Sequence, residues 1–161
     1  MRHATLRLLR ITALAVLLTA CARAPAAPAT PTKVPGGGEP VMLEIGTQGE
    51  ALLFDKDTLM APAGSTITLK FSSLAVSDVQ MHNWVLAKPG TEDTVASNGI
   101  SAGPVASYVQ PNEPGVLAYT KLIKGGESTQ VTFDAPPPGR YPYICTFPGH
   151  SAIMRGSLII S

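Results

Sequence analysis

Between residues 41 and 161 apolar side chains recur at every second position in short runs, and glycine- and proline-rich breaks end each run. VMLEIGT, Val41 to Thr47, alternates and opens the series. STITLKF, Ser65 to Phe71, puts Ile67, Leu69 and Phe71 on one face, and STQVTFDA, Ser128 to Ala135, does the same with Thr129, Val131 and Phe133. A period of two marks a half-buried strand. ALLF and TLMAPAG lie between the first two runs, with Gly64 marking a turn. MHNWVLAKP, Met81 to Pro89, reads as the next strand and stops at Lys88-Pro89-Gly90. VLAYTKLI follows and is closed by Lys124-Gly125-Gly126. A turn at Pro136 to Gly139 leads into RYPYIC, which aligns Tyr141, Tyr143 and Cys145, and GSLII ends the chain. Residues 91–115 keep neither period and are expected to form a short helix or a loop insertion. Seven or eight short strands without a long helical pattern predict an all-β domain, an antiparallel β-sandwich or barrel.

The preceding 40 residues follow different rules. MRHATLRLLR carries Arg2, Arg7 and Arg10 and no acid, and ITALAVLLTA is an apolar or small-residue run too short to span a bilayer. Leu18-Thr19-Ala20-Cys21 resembles the lipobox of bacterial lipoproteins, in which the cysteine is lipidated and becomes the first residue. Residues 1–20 are therefore expected to be a lipoprotein-type signal peptide. Residues 21–40 are expected to comprise lipidated Cys21 and an Ala/Pro/Gly-rich tether, leaving residues 41–161 as the folded domain. Export to the outer face of the cell membrane, anchored by the N-terminal lipid, follows from that reading.

Charge and cysteine count narrow the possibilities. The 161-residue chain has 12 basic and 11 acidic residues, and loss of residues 1–20 removes three arginines and no acid, leaving a formal charge of −2. No basic stripe is present, so nothing supports nucleic acid as a partner. Gly36 to Gly38 lies in the tether rather than after a strand, so it is not a nucleotide-binding loop. Cys145 is the only cysteine besides Cys21. With Cys21 lipidated it has no partner for a disulfide within the chain, and a metal would occupy such a thiol in an oxidising compartment.

The soft donors cluster around that thiol. CTFPGHSAIM places Cys145, His150 and Met154 within ten residues, and Pro148-Gly149 can turn the chain back over the end of the strand. The exported chain holds one other histidine, His82, on a different strand. Each residue has an ordinary reading by itself: His82 as a satisfied core histidine, Met154 as core filling, Cys145 as a small buried hydrophobe. Taken together, two imidazoles, a thiolate and a thioether are the donor set of a blue copper centre. Zinc would accept the two histidines and the cysteine, whereas the added methionine favours copper.

At this point the sequence resembles a known family. CysThrPheProGlyHis at 145–150, Met154 and the upstream HisAsnTrpVal at 82–85 are similar to the azurin-type blue copper proteins of the cupredoxin family. The low-complexity tether, the lipoprotein-like start and SerAlaGlyPro at 101–104 resemble the auracyanin branch of that family, from filamentous anoxygenic phototrophs. The resemblance implies a Greek-key sandwich with His82, Cys145 and His150 as equatorial ligands of one type 1 copper and Met154 as the weak axial one. It implies that Asn83 ties the His82 strand to Thr146, and that the backbone N–H groups of Asn83 and Phe147 point at the thiolate. The family carries glycine before its first histidine. Here that residue is Met81, and a four-coordinate site is expected.

Four protein donors leave no open position for a substrate, which points away from an enzyme. The resemblance implies single-electron transfer between redox complexes, with His150 as the port and Met81 and Pro148 beside it on a weak docking surface. Its analogues in phototrophs imply a quinol-oxidising complex as donor and a cytochrome c or photosynthetic reaction centre as acceptor. A respiratory chain is equally compatible with these residues. A copper chaperone or storage lipoprotein is the alternative, although the chain lacks the Met-rich tract or second unlipidated cysteine that such proteins expose.

Overall fold

The computed structural model describes residues 38–77 and 79–161. The expected signal peptide, Cys21 and most of the tether lie outside the described residues. The described chain forms strands β1 (Val41–Gly46), β2 (Thr58–Ala61), β3 (Thr66–Ser72), β4 (Val85–Ala87), β5 (Val116–Tyr119), β6 (Ser128–Asp134), β7 (Gly139–Ile144) and β8 (Arg155–Ile160). One α-helix, α1 (Glu92–Ala102), and a short 3-10 turn at Pro104–Ala106 lie in the segment expected to hold a helix or loop. The strands make an open two-sheet sandwich, ordered β1-β3-β6 and β2-β8-β7-β4-β5.

The sheets are mixed rather than purely antiparallel. β1 runs parallel to β3, and β2 runs parallel to β8. The chain leaves β1 for the other sheet, forms β2 there and returns in β3, so β3 re-enters beside β1 in the same direction. β7 and β8 are an antiparallel pair whose connection is the donor-rich loop.

Ile67, Leu69 and Phe71 of β3 are fully buried against Trp84, Leu86, Tyr143 and Leu158. Burying each such side chain contributes about 1.5–3 kcal/mol, so the sandwich supplies a rigid base for the loops at its end. Helix α1 closes the opposite face of the larger sheet. Val95 and Ala96 pack on Val85, Ala87 and Ile144. Its first turn carries Glu92 and Asp93, which favour the positive end of the helix dipole.

Three predicted strands are shorter than the hydrophobic pattern suggests. In ALLF only Phe54 pairs, as a single bridge to Thr47, because residues 48–53 form a turn closed by Gln48 N–H to Leu53 O at 3.0 Å. VLAYTKLI is strand only as far as Tyr119. Of Met81 to Pro89 only Val85–Ala87 is strand. His82 makes one bridge with Ile123, and the Trp84 N–H is taken by Thr120 Oγ1 at 3.0 Å instead of a neighbouring strand.

Candidate metal centre

Cys145 is the first residue after β7, and Met154 the last before β8. The Cys145 N–H donates to the Met154 carbonyl at 3.0 Å, so the two residues face each other across the base of the β7–β8 loop. Within the loop the His150 N–H donates to Phe147 O at 3.0 Å, and the Met154 N–H donates to His150 O at 2.8 Å. Gly149 makes the reversal at φ 85°, a backbone region that residues with a Cβ avoid. The turn brings the His150 ring back over the end of β7, and Arg155 secures it by donating from Nε to Ser151 O at 2.9 Å.

His82 arrives from the other side, held by its bridge to Ile123. Its Nδ1 lies 4.0 Å from Cys145 Sγ, and His150 Nδ1 lies 3.7 Å from the same sulfur. Ligand atoms of all three lie within 4.8 Å of one another. A trigonal ion with N and S bonds of about 2.0 and 2.3 Å holds its nitrogens roughly 3.8 Å from the sulfur, so the donors fit one ion between them. His82 and Cys145 are wholly buried and His150 is 6 % exposed, which makes His150 the member nearest solvent. Met154 is fully buried in the main core beneath the loop.

Asn83 joins the two halves of the site. Its Oδ1 accepts from the Thr146 N–H at 2.9 Å, and its Nδ2 donates to Thr146 Oγ1 and to Ser107 O, both at 2.7 Å. Asn83 and Thr146 are buried. The Phe147 ring lies 4.6 Å from the His150 ring and stacks edge-on against Tyr108 at 5.4 Å. Ser107 and Thr120 are supports that the sequence pattern misses. Ser107 acts through a carbonyl and Thr120 through a hydroxyl within an apparent strand, and neither feature marks itself in the one-dimensional sequence.

Electrostatics favour neutral groups in the absence of a cation. Burial pushes the Cys145 thiol up to about 11, opposed by N–H groups of Asn83 and Phe147 directed at the sulfur. Burial, and then the neighbouring His150, lower His82 to about 4, while Glu50 acts in the other direction. Burial also lowers His150. Neutral imidazoles offer lone pairs at neutral pH, and a bound cation supplies the positive charge that a thiolate requires at such a site. His82 Nε2 is buried with no partner among the described residues.

Two imidazoles and a thiol buried at one pole of a β-sandwich define a cupredoxin-type metal centre. The chain belongs to the plastocyanin/azurin family of copper-binding proteins, which it matches over residues 41–161, and copper is its cofactor. It is 41% identical to auracyanin-A of Chloroflexus aurantiacus over 153 residues, covering 94% of this chain and 93% of the relative. It is 42% identical to azurin of Achromobacter denitrificans over 99 residues, covering 60% of this chain and 66% of that one. The fold is similar to the solved structure of auracyanin A, a "blue" copper protein from Chloroflexus aurantiacus, with a TM-score of 0.71 and 44% identity over 76% of this chain and 99% of that one. It is also similar to dithionite-reduced auracyanin from Roseiflexus castenholzii, with a TM-score of 0.70 and 35% identity over 74% and 96% of the two chains.

Proposed function

We propose that the chain is an exported, lipid-anchored carrier of single electrons that holds one copper through His82, Cys145, His150 and, weakly, Met154. The observation that carries this reading is the placement of two histidine Nδ1 atoms 4.0 and 3.7 Å from one buried sulfur. Copper supplies the Cu(I)/Cu(II) couple. The protein's part is to fix the donors and keep water out. The β7–β8 loop and the Asn83–Thr146 pairing hold the donors in one arrangement, so a change of oxidation state requires little movement.

Apolar side chains lie exposed on the loops around the cluster: Val79 ahead of His82, Val105 ahead of Ser107, and Ile153 between His150 and Met154. Together with exposed Pro148 they favour a small, weak docking surface near His150. A quinol-oxidising complex as donor and a cytochrome c or reaction centre as acceptor fit the likeness to auracyanin. The charged start, short apolar run and Leu18-Thr19-Ala20-Cys21 in the sequence support the signal peptide, lipidated Cys21 and tether. No described helix is long and apolar enough to cross a membrane.

The test is the visible and EPR spectrum of residues 38–161 with one equivalent of Cu(II). An intense thiolate-to-copper band in the red with a narrow copper hyperfine splitting is expected. A colourless complex, or an ordinary tetragonal copper spectrum, would overturn the ligand set.

A further inference from the structure

Four buried side-chain atoms have no hydrogen-bond partner among the described residues: Ser73 Oγ, Gln80 Oε1, His82 Nε2 and Trp84 Nε1. An unpaired polar atom in a protein interior is costly, so each calls for an explanation. One of them belongs to a residue of the metal cluster. His82 is wholly buried, and its backbone is pinned in both directions, its N–H donating to Ile123 O and its carbonyl accepting from the Ile123 N–H, each at 2.9 Å. The ring presents Nδ1 to Cys145 Sγ, 4.0 Å away. A neutral imidazole with its lone pair on Nδ1 carries its proton on Nε2. The orphaned Nε2 is therefore a donor, and the group that accepts its proton fixes the tautomer and the orientation of the ring.

The other three orphans differ in what they can offer. Trp84 Nε1 is a donor only. Gln80 Oε1 and Ser73 Oγ can both accept. Gln80 stands two residues ahead of His82, so their Cα atoms are at most about 7 Å apart. Ser73 stands nine positions ahead, and its backbone is bonded to Gly126 and Glu127 just before β6. Gln80 is only partly buried as a residue, yet its side-chain oxygen is shut away from solvent. A buried amide oxygen so near a buried N–H donor is a matched pair. One water, which needs two to four polar partners, suffices to join them.

We propose that Gln80 is a positioning residue for the metal centre: through one bridging water its side-chain oxygen accepts the His82 Nε2 proton and holds the ring in the tautomer that offers the Nδ1 lone pair to the metal. This rests on the copper electron-carrier reading above. Gln80→Leu removes the acceptor, whereas Gln80→Glu keeps an oxygen acceptor on a side chain of the same length.

The metal-free full chain is prepared with isotope-labelled histidine, and the imidazole nitrogen shifts at neutral pH report the tautomer. His82 is expected to be protonated on Nε2 in the parent. Its Nε2–H to Nδ1–H ratio is expected to fall about fivefold in Gln80→Leu, the worth of roughly one hydrogen bond. The ratio is expected to return to the parent value in Gln80→Glu and to be unchanged in Ser73→Ala. In the copper-loaded chain, release of Cu(II) to EDTA is expected to quicken on the order of tenfold in Gln80→Leu and to stay near the parent rate in Gln80→Glu. A parent ring protonated on Nδ1 overturns the proposal, as does an unchanged ratio or release rate in Gln80→Leu. So does a ratio that stays low in Gln80→Glu, or one that falls in Ser73→Ala. A parent chain that forms no blue copper complex is a separate failure: it overturns the carrier reading, while the metal-free tautomer ratio still reports whether Gln80 holds the ring.

Discussion

Asn83 and Thr146 exchange hydrogen bonds in both directions across 63 positions of sequence: the Thr146 N–H donates to Asn83 Oδ1, and Asn83 Nδ2 donates to Thr146 Oγ1. Because the same amide also donates to Ser107 O, one side chain joins three segments of the metal-binding pole. Asn83→Ala leaves the Thr146 N–H buried without its acceptor and removes a donor from Ser107. At about 1–3 kcal/mol for each orphaned group, a loss of about 2–4 kcal/mol is expected in denaturant unfolding of the metal-free protein. A loss below about 0.5 kcal/mol would show that water replaces the amide at little cost.

Cys145→Ser removes the sulfur on which both imidazoles converge while keeping a side chain of similar size. The intense blue band is expected to disappear and tight Cu(II) binding in the blue form to be lost. Retention of that colour by the variant would sink the assignment of Cys145 as a ligand.

Met154 is part of the main core as well as a candidate axial donor, and Met154→Leu separates these roles. The swap nearly conserves volume and is expected to cost less than about 1.5 kcal/mol of stability. The blue band is expected to remain and the reduction potential to rise, because loss of a weak electron donor disfavours Cu(II). An unchanged potential would leave Met154 with a packing role alone.

In the metal-free protein the histidines set a pH dependence of stability. His82 is lowered from 6.5 to about 4 in the folded state, so on acidification the unfolded chain takes up a proton before the folded one does. Stability is fully present above the unfolded value and is lost as pH falls towards the folded value, by about 3 kcal/mol in total. His150 is lowered as well and adds in the same direction. Unfolding free energies compared at about pH 7.5 and about pH 4.5 check this. Equal values would mean that protonated His82 is tolerated in the fold.

The strands that bury one face were legible in the sequence. β3 and β6 show their period of two because one side of each sits on the core and the other in solvent. β4 did not reveal its limits. Its three residues are buried on both faces, since α1 covers the side that would otherwise meet water, and no alternation survives. The direction of β2 was hidden too, because its parallel partner β8 lies almost a hundred positions away and local pattern carries no pairing information. Cys145 and His150 were legible as a pair because they share one short loop. His82 was picked out by donor type, as the remaining histidine of the exported chain. Ser107 escaped notice because a carbonyl is ordinary in any sequence; only folding gives it the Asn83 amide to meet.

Gly38, the first described residue, bonds through its N–H to Gly64 O, beside the end of the sandwich where β3 begins and β7 starts. The cluster sits at the other end, where β7 finishes, a strand's length of about 20 Å away. The chain therefore enters the domain at the pole farthest from its metal-binding residues. A fusion made at that entrance is expected to leave the surface around His150 clear.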